Sequence, residues 1–519
     1  MIDPTSTVSS LLRSHATERP DDEALRFGDV RRTWSELDVR VRRLAAALRA
    51  EGIGPGDRVA VLDLNHPSCL ELSLACAWIG AANAVVNFRL APPEIVYVIG
   101  DARARLLLVG PEFAGAVGQL REKLGAVERV LHVGGEADEY EAFLAAHEPD
   151  TDPYDAGPGD CFVQLYTSGT TGFPKGAMLT HSAMLAHAAH VAADFELTPT
   201  DVVQVAMPLF HVGGTSYAFL ALAQGARIVM ARMPDPAALL DMVAAEGITH
   251  TFWVPALMGA MTQVPGAADR DYASLRAISY GASPMPLPVM RASLALFGPK
   301  LHQVYGMTEA CGVVSSLGPE DHGDPAVEHR LVSAGRPITG CTIEVRDPAT
   351  GERLGTDEPG EIWVRTDQLM SGYWDKPEAT AAAITPNGWL RSGDGGHIDD
   401  ENYLSISDRK KDVIISGGEN VSSIEVEDCL FSHPDVSEVA VIGIPHEKWG
   451  ETVTALVVLA DGAEADEAAL IAYCKSKLAG YKCPTSIEFR SELARTATGK
   501  LQKFKLRAPF WEGRERQVN

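Results

Sequence analysis

A chain of 519 residues exceeds what one hydrophobic core can serve, so at least two domains are expected. With 46% hydrophobic and 22% charged residues, the composition is that of a globular protein and excludes a disordered or fibrous one. The 70 acidic residues outnumber the 45 Lys and Arg, and the formal charge of -25 excludes a broad basic groove for nucleic acid or lipid headgroups.

At the N-terminus, Asp3, Ser6 and Glu18 stand where a signal peptide would need a basic start and an apolar stretch, so a cytoplasmic protein is expected. Thr33, with Glu36 three residues on, predicts a capping box ahead of a helix over Leu37 to Ala50. Gly52, Gly54 and Pro55 then stop that helix before a strand from Val59 to Asp63. The most apolar window, Leu72 to Phe88, contains Gly80, Asn83 and Asn87 and changes from a helical to a Val-rich strand pattern, which reads as core and not as a membrane span. Helix and strand patterns keep alternating through Arg105 to Val109, Val202 to Ala206, Ala226 to Met230 and Ala277 to Tyr280, the mark of parallel strands with crossover helices.

After about Gly340 the sequence becomes strand- and turn-rich, as in Thr342 to Arg346 and Gly360 to Val364, and a small β subdomain is expected over about 340–408. The short charged run Asp408 to Asp412 marks a boundary. Beyond it, a helix over Ser423 to Phe431 and a strand over Val436 to Ile442 begin a second unit. The expected organisation is α/β: a large layered N-terminal domain, 1–408, then a small mobile α+β domain, 409–519. The eight cysteines are scattered with no C-x-x-C pair, which fits free thiols in a reducing compartment and argues against a structural zinc.

The stretch Tyr166-Thr-Ser-Gly-Thr-Thr-Gly-Phe-Pro-Lys175-Gly176 concentrates hydroxyls, glycines and one lysine. Such a loop can wrap phosphates with backbone N–H groups, because glycine permits close approach and lysine adds a point charge. It is not a Walker A loop, since a glycine, not Ser or Thr, follows Lys175. A flexible surface loop is the alternative.

This segment resembles the signature loop of the adenylate-forming superfamily, which includes acyl-CoA synthetases, 4-coumarate-CoA ligases, luciferases and nonribosomal peptide adenylation domains. Four further segments are similar to that family's motifs, in family order: Tyr305-Gly306-Met-Thr308-Glu309, Ser392-Gly-Asp394, the hinge-like Asp408-Arg409-Lys410-Lys411-Asp412, and Ala497-Thr-Gly-Lys500. The resemblance implies an ATP-dependent ligase that makes an acyl-adenylate, releases pyrophosphate and then forms an acyl-coenzyme A thioester. Such chemistry needs charge neutralisation and in-line positioning more than a protein nucleophile.

By the same resemblance Thr167, Ser168, Gly169, Thr170, Thr171 and Gly172 would cradle the phosphates, with Lys175 closing the loop. Glu309 would hold Mg²⁺, Tyr305 would lie against the adenine beside Gly281 and Ala282, and Gly306 and Thr308 would complete the nucleotide element. Asp394 and Arg409 would bind the ribose, and Lys500 would stabilise charge developing at the α-phosphate. His211 would stand at the acyl-pocket entrance, with Val212, Gly213, Gly214, Thr215, Trp253, Ala282, Met307 and Val313 as the lining. No acidic residue stands there to pair an α-amino group, which suits a hydrophobic acid, a medium- or long-chain fatty acid first and an aromatic acid second. Thr215 stands where some long-chain synthetases place a tryptophan gate. Lys411 would absorb a rotation of the C-terminal domain between half-reactions, after which Gly417 and Gly418 would face the pantetheine channel. Trp449 and Tyr481 are either an aromatic contact for the adenine of coenzyme A or core residues, and of the basic residues that related ligases place after that aromatic only Lys482 is retained. The implied ligands are ATP, Mg²⁺, coenzyme A and a small carboxylic acid, with no nucleic acid and no membrane span, and a homodimer is compatible. Two alternatives are an acyl-AMP ligase that serves a carrier protein and a non-catalytic nucleotide- or acyl-binding homologue.

Overall fold

The computed structural model describes residues 6–167, 174–283, 285–323, 325–409, 412, 414–416, 419–446, 449–495 and 501–512. Thr33 caps the helix Trp34–Ala50, and its hydroxyl and the Glu36 side chain exchange bonds with each other's backbone N–H, as the capping box predicts. The chain then enters the strand Arg58–Leu62, the helix Pro67–Ile79 and the strand Ala82–Val85. Every residue of Pro67–Ile79 is buried, which explains a sequence that is apolar all round.

Two large sheets frame the N-terminal part. In one, Arg58–Leu62 lies between Ala82–Val85 and Leu106–Val109, and Cys161–Thr167 and Arg129–His132 extend this parallel set on either side. In the other, Leu301–Met307, Ala277–Gly281, His250–Trp253, Val202–Val205 and Arg227–Met230 run parallel in that spatial order. Pro67–Ile79 packs on the first sheet and Val212–Gln224 on the second, and the helix Val8–Glu18 touches both. One apolar core runs through all of these elements. This is the layered α/β architecture expected of alternating strands and helices.

The strands Thr342–Arg346, Gly360–Arg365, Leu390–Ile398 and Leu404–Arg409 form a separate antiparallel sheet, whose apolar face shares a cluster with Ala310 and Val314 of the large unit. The expected division at 408/409 falls at the last residue of this sheet. Beyond it, the helix Ser423–Phe431 and the strands Val436–His446, Gly450–Leu459 and Ser486–Phe489 surround their own core. All eight cysteines are free thiols. Among the described residues no helix is long and apolar enough to cross a membrane.

Several histidines are buried in this core as neutral bases. His187 accepts the Val313 N–H at 3.1 Å, and burial pushes its pKa down to about 3. His181, stacked on Phe162, and the half-buried His302, against Phe195, are lowered to about 4, chiefly by the same cause. The unfolded chain therefore binds more protons than the folded one between those values and about 6.5, so this stabilisation is complete above pH 6.5 and is lost as pH falls. Each histidine contributes up to about 1.4 kcal/mol per pH unit within that window. The melting temperature measured by calorimetry should accordingly fall from pH 7 to pH 5, and an unchanged or higher value at pH 5 would contradict the neutral assignment.

Candidate active site

Cys161–Thr167 pairs antiparallel with Lys175–Thr180, with Thr167 opposite Lys175. The hydroxyl-rich segment therefore connects two paired strands, with Thr167 and Lys175 at its feet; Ser168, Gly169, Thr170, Thr171 and Gly172 lie outside the described residues. The far edge of Lys175–Thr180 is covered by the short strand Gly372–Tyr373. The Lys175 ammonium lies 5.1 Å from the centre of the Tyr373 ring, a cation–π contact. The hydroxyl of Tyr373 donates to Glu309 Oε1 at 2.7 Å. Burial, then the charge and hydrogen bond of Glu309, raise the phenol far above its usual pKa, so it stays a neutral donor.

Glu309 sits in the tight turn Thr308–Ala310 that joins the antiparallel strands Leu301–Met307 and Gly312–Leu317. Gly306 is required in this pairing, because a Cβ there would collide with the Gly312 carbonyl. Two residues before Met307, the Tyr305 hydroxyl donates to Asp394 Oδ2 at 2.7 Å, and the Asp394 N–H is held by Ser392 Oγ at 3.0 Å. Asp394 pairs with Arg409 across the small sheet, which puts both expected ribose residues on neighbouring strands. Ala282 adopts φ 67°, a left-handed conformation that costs a non-glycine residue on the order of 1–2 kcal/mol. Such strain at the end of a parallel strand is typical of ligand-binding loops.

His211 caps the helix Val212–Gln224, its ring 4.6 Å from that of Phe210. Asn65, buried at the end of the other sheet, fixes this approach: its Nδ2 donates to the Met207 and Ala231 carbonyls and its Oδ1 accepts the Leu209 N–H. A Cβ on Gly213 would stand 2.7 Å from the Phe252 ring, and one on Gly214 would strike the Pro208 carbonyl. The Thr215 hydroxyl turns back to the Leu209 carbonyl. Val212, Gly213, Gly214 and Thr215 thus share one helical turn, and their helix touches the strands that carry Trp253 and Val313. Trp253 is fully buried, its indole N–H bonded to Gln204 and its ring against Phe297. Met307 packs with Tyr305 towards the small sheet, and Val313 is held by His187.

In the C-terminal unit Trp449 and Tyr481 are both exposed, by 40% and 50%, which removes the core-packing alternative for them. Trp449 stacks on His446 with ring centres 4.4 Å apart, and Lys482 donates to both Glu425 carboxylate oxygens. Ile414–Ser416 and Glu419–Val421 pair as antiparallel strands. Gly417, Gly418, Lys411 and Lys500 lie outside the described residues, as does the side chain of Arg409.

Sequence reasoning overlooked Tyr373, Asn65 and Gln368. The Gly372-Tyr373 pair was legible only as turn punctuation, and nothing in sequence marks Asn65 or Gln368 as partners of residues far along the chain. Among the described residues no group of three or more His, Cys, Asp or Glu could hold a metal by itself. A lone carboxylate suits a Mg²⁺ ion that takes its other ligands from substrate phosphates and water.

The chain is similar to known proteins over most of its length. A family model described as AMP-binding enzyme matches residues 12–374, and its C-terminal domain model matches 425–500. A feruloyl-CoA synthase of Amycolatopsis sp is 40% identical over 494 residues, covering 95% of this chain and 96% of its own. A fatty acid–[acyl-carrier-protein] ligase of Streptomyces coeruleorubidus is 34% identical over 512 residues, covering 97% and 96%. The crystal structure of ATP-bound MatB from Rhodopseudomonas palustris superposes with TM-score 0.88 at 30% identity, covering 97% of this chain and 99% of that one.

Gly281 tests the nucleotide cradle. A Cβ there would strike the Val304 carbonyl on the neighbouring strand, a backbone atom that cannot rotate away. Gly281→Ala should cost about 3 kcal/mol and lower the melting temperature, as scanning calorimetry would register. A variant as stable as the parent would show that the two strands are not held this closely.

Proposed function

The chain belongs to the AMP-binding enzyme family, and we propose that it activates a hydrophobic carboxylic acid with ATP, releases pyrophosphate and transfers the acyl group to coenzyme A. It is an ATP-dependent, AMP-forming ligase of the acyl- and aryl-CoA type, with ATP and coenzyme A as substrates. The observation that carries the proposed site is the pair of hydrogen bonds Tyr305 to Asp394 and Tyr373 to Glu309, which join sugar- and phosphate-directed residues of three sheets.

In this reading the ribose hydroxyls meet Asp394 and Arg409, and the adenine lies along Tyr305, Gly281 and Ala282. Lys175 and the Thr167 to Gly172 loop take the β and γ phosphates. Glu309 would be the protein ligand of Mg²⁺, which would supply neutralisation of the phosphate charge. The acid's carboxylate is directed past His211 to attack the α-phosphorus in line, with Lys500 stabilising the charge that develops. We divide the chain at 408/409, with Lys411 as the hinge that exchanges Lys500 for the surface bearing Gly417, Gly418, Trp449 and Tyr481.

For the acid, the order of preference shifts towards an aryl acid. The Phe252 ring sits within contact of the Gly213 position, and Tyr217, itself against Phe252, is bonded to the buried Ser279. These aromatics favour a short, flat acyl group over a long flexible one. The 40% identical relative is named for feruloyl-CoA, which points the same way, whereas the carrier-protein ligase keeps a fatty acid and a protein acceptor as the second reading. Pyrophosphate release across cinnamic-type and C6 to C16 acids separates the two acid classes. The highest kcat/KM on long fatty acids would overturn the aryl assignment, and thioester formation with free coenzyme A alone decides the acceptor.

Lys500→Ala should abolish adenylate formation from acid and ATP while leaving capture of a supplied acyl-adenylate by coenzyme A largely intact. A single missing cation of this kind typically costs 100- to 1,000-fold, on the order of 3–4 kcal/mol. Equal loss of both half-reactions would count against the role given to this lysine.

A further inference from the structure

The segment Gln368 to Trp374 is bonded on one side to the Glu309 turn and on the other to the strand that begins at Lys175. Towards the turn, the fully buried Gln368 donates from Nε2 to the Ala310 carbonyl at 2.9 Å and the Val313 carbonyl at 2.6 Å, and its Oε1 accepts from His190. The Met370 N–H donates to the Glu309 carbonyl at 2.8 Å. Towards the strand, the Ser371 N–H donates to Met178 and the Trp374 N–H to Gly176, at 3.0 and 2.7 Å. Trp374 is itself immobilised, with the Arg58 guanidinium 3.6 Å above its ring and its indole N–H on the Asp101 carbonyl. Tyr373 lies between these attachments, with its hydroxyl on Glu309 and its ring facing Lys175.

We propose that Tyr373 is a positioning residue that couples the metal-directed carboxylate of Glu309 to the phosphate-directed ammonium of Lys175. It rests on the nucleotide-site reading above. The hydroxyl holds Oε1 of Glu309 and so fixes the carboxylate that would bind a divalent cation. The ring holds the Lys175 ammonium by a cation–π contact, which attracts the cation without neutralising its charge. A phenol suits this place because its hydroxyl donates to Glu309 while its ring faces Lys175. Phenylalanine would keep the ring contact and lose the hold on Glu309; leucine would lose both.

The experiment uses the full chain and two variants, Tyr373→Phe and Tyr373→Leu, beside Glu309→Gln and the double variant Tyr373→Phe/Glu309→Gln. Mn²⁺ affinity in the presence of a non-hydrolysable ATP analogue is measured by electron paramagnetic resonance, with KM for Mg²⁺ and for the acid, and thermal melts as the folding control. Tyr373→Phe should weaken Mn²⁺ binding about 10-fold, the effect of one charge-assisted hydrogen bond, and raise the Mg²⁺ KM while the acid KM stays unchanged. The double variant should bind Mn²⁺ no more weakly than Glu309→Gln alone. Tyr373→Leu should in addition weaken metal-free nucleotide, which Tyr373→Phe leaves intact. If Glu309→Gln weakens Mn²⁺ binding but Tyr373→Phe does not, or if the two effects add, the coupling is overturned while the metal reading stands. If Glu309→Gln itself leaves Mn²⁺ binding unchanged, the metal reading fails and the coupling with it. Should the leucine variant not fold, the phenylalanine variant and the cycle still decide.

Discussion

Backbone pairing of Gly372–Tyr373 with Ala177 and Met178 is the constraint on which the relative placement of Glu309 and Lys175 depends. It adds to the edge of a large sheet two residues that lie almost two hundred positions downstream. Because the same short segment is bonded to the turn carrying Glu309, it fixes the separation of a carboxylate and an ammonium that belong to different sheets. Loops placed by rigid strands in this way can hold charged groups to a geometry that the loops alone could not maintain.

The strong negative charge of the chain sharpens what the site must do. Many arginines are committed to carboxylates: Arg40 to Glu71 and Glu141, Arg232 to Asp63 and Glu112, Arg330 to Asp321 and Glu401. A polyanion such as ATP therefore meets a surface that repels it overall, and its binding has to come from local donors. Lys175 fits that demand, since its described neighbour is the face of a ring, which attracts an ammonium without neutralising it. Close backbone approaches at Gly281 and Gly306 serve the same purpose, because they place strand termini and their turns where peptide groups can line a ligand.

The C-terminal unit has a different character. Its core is separate, and among its aromatics Trp449, Tyr481, Phe489 and Phe504 are exposed. Lys482, which might have offered a cation to a phosphate, is instead occupied by Glu425.

How much was legible from sequence follows the range of the interactions. The capping box at Thr33, the helix Ser423–Phe431, the strands Thr342–Arg346 and Ala277–Gly281 and the alternation of helices with parallel strands were readable because each is set by neighbours within a few residues or by a simple apolar period. The family was readable as well, since glycines and hydroxyls in a fixed order are a local feature of the chain. The tertiary structure alone decided that Tyr373 touches Glu309 and Lys175, that Asn65 holds the approach to His211, and that Trp253 belongs to the core while Trp449 does not. Those facts depend on which strands become neighbours after folding, and a side chain's partner across a sheet edge leaves no periodic trace in the chain that carries it.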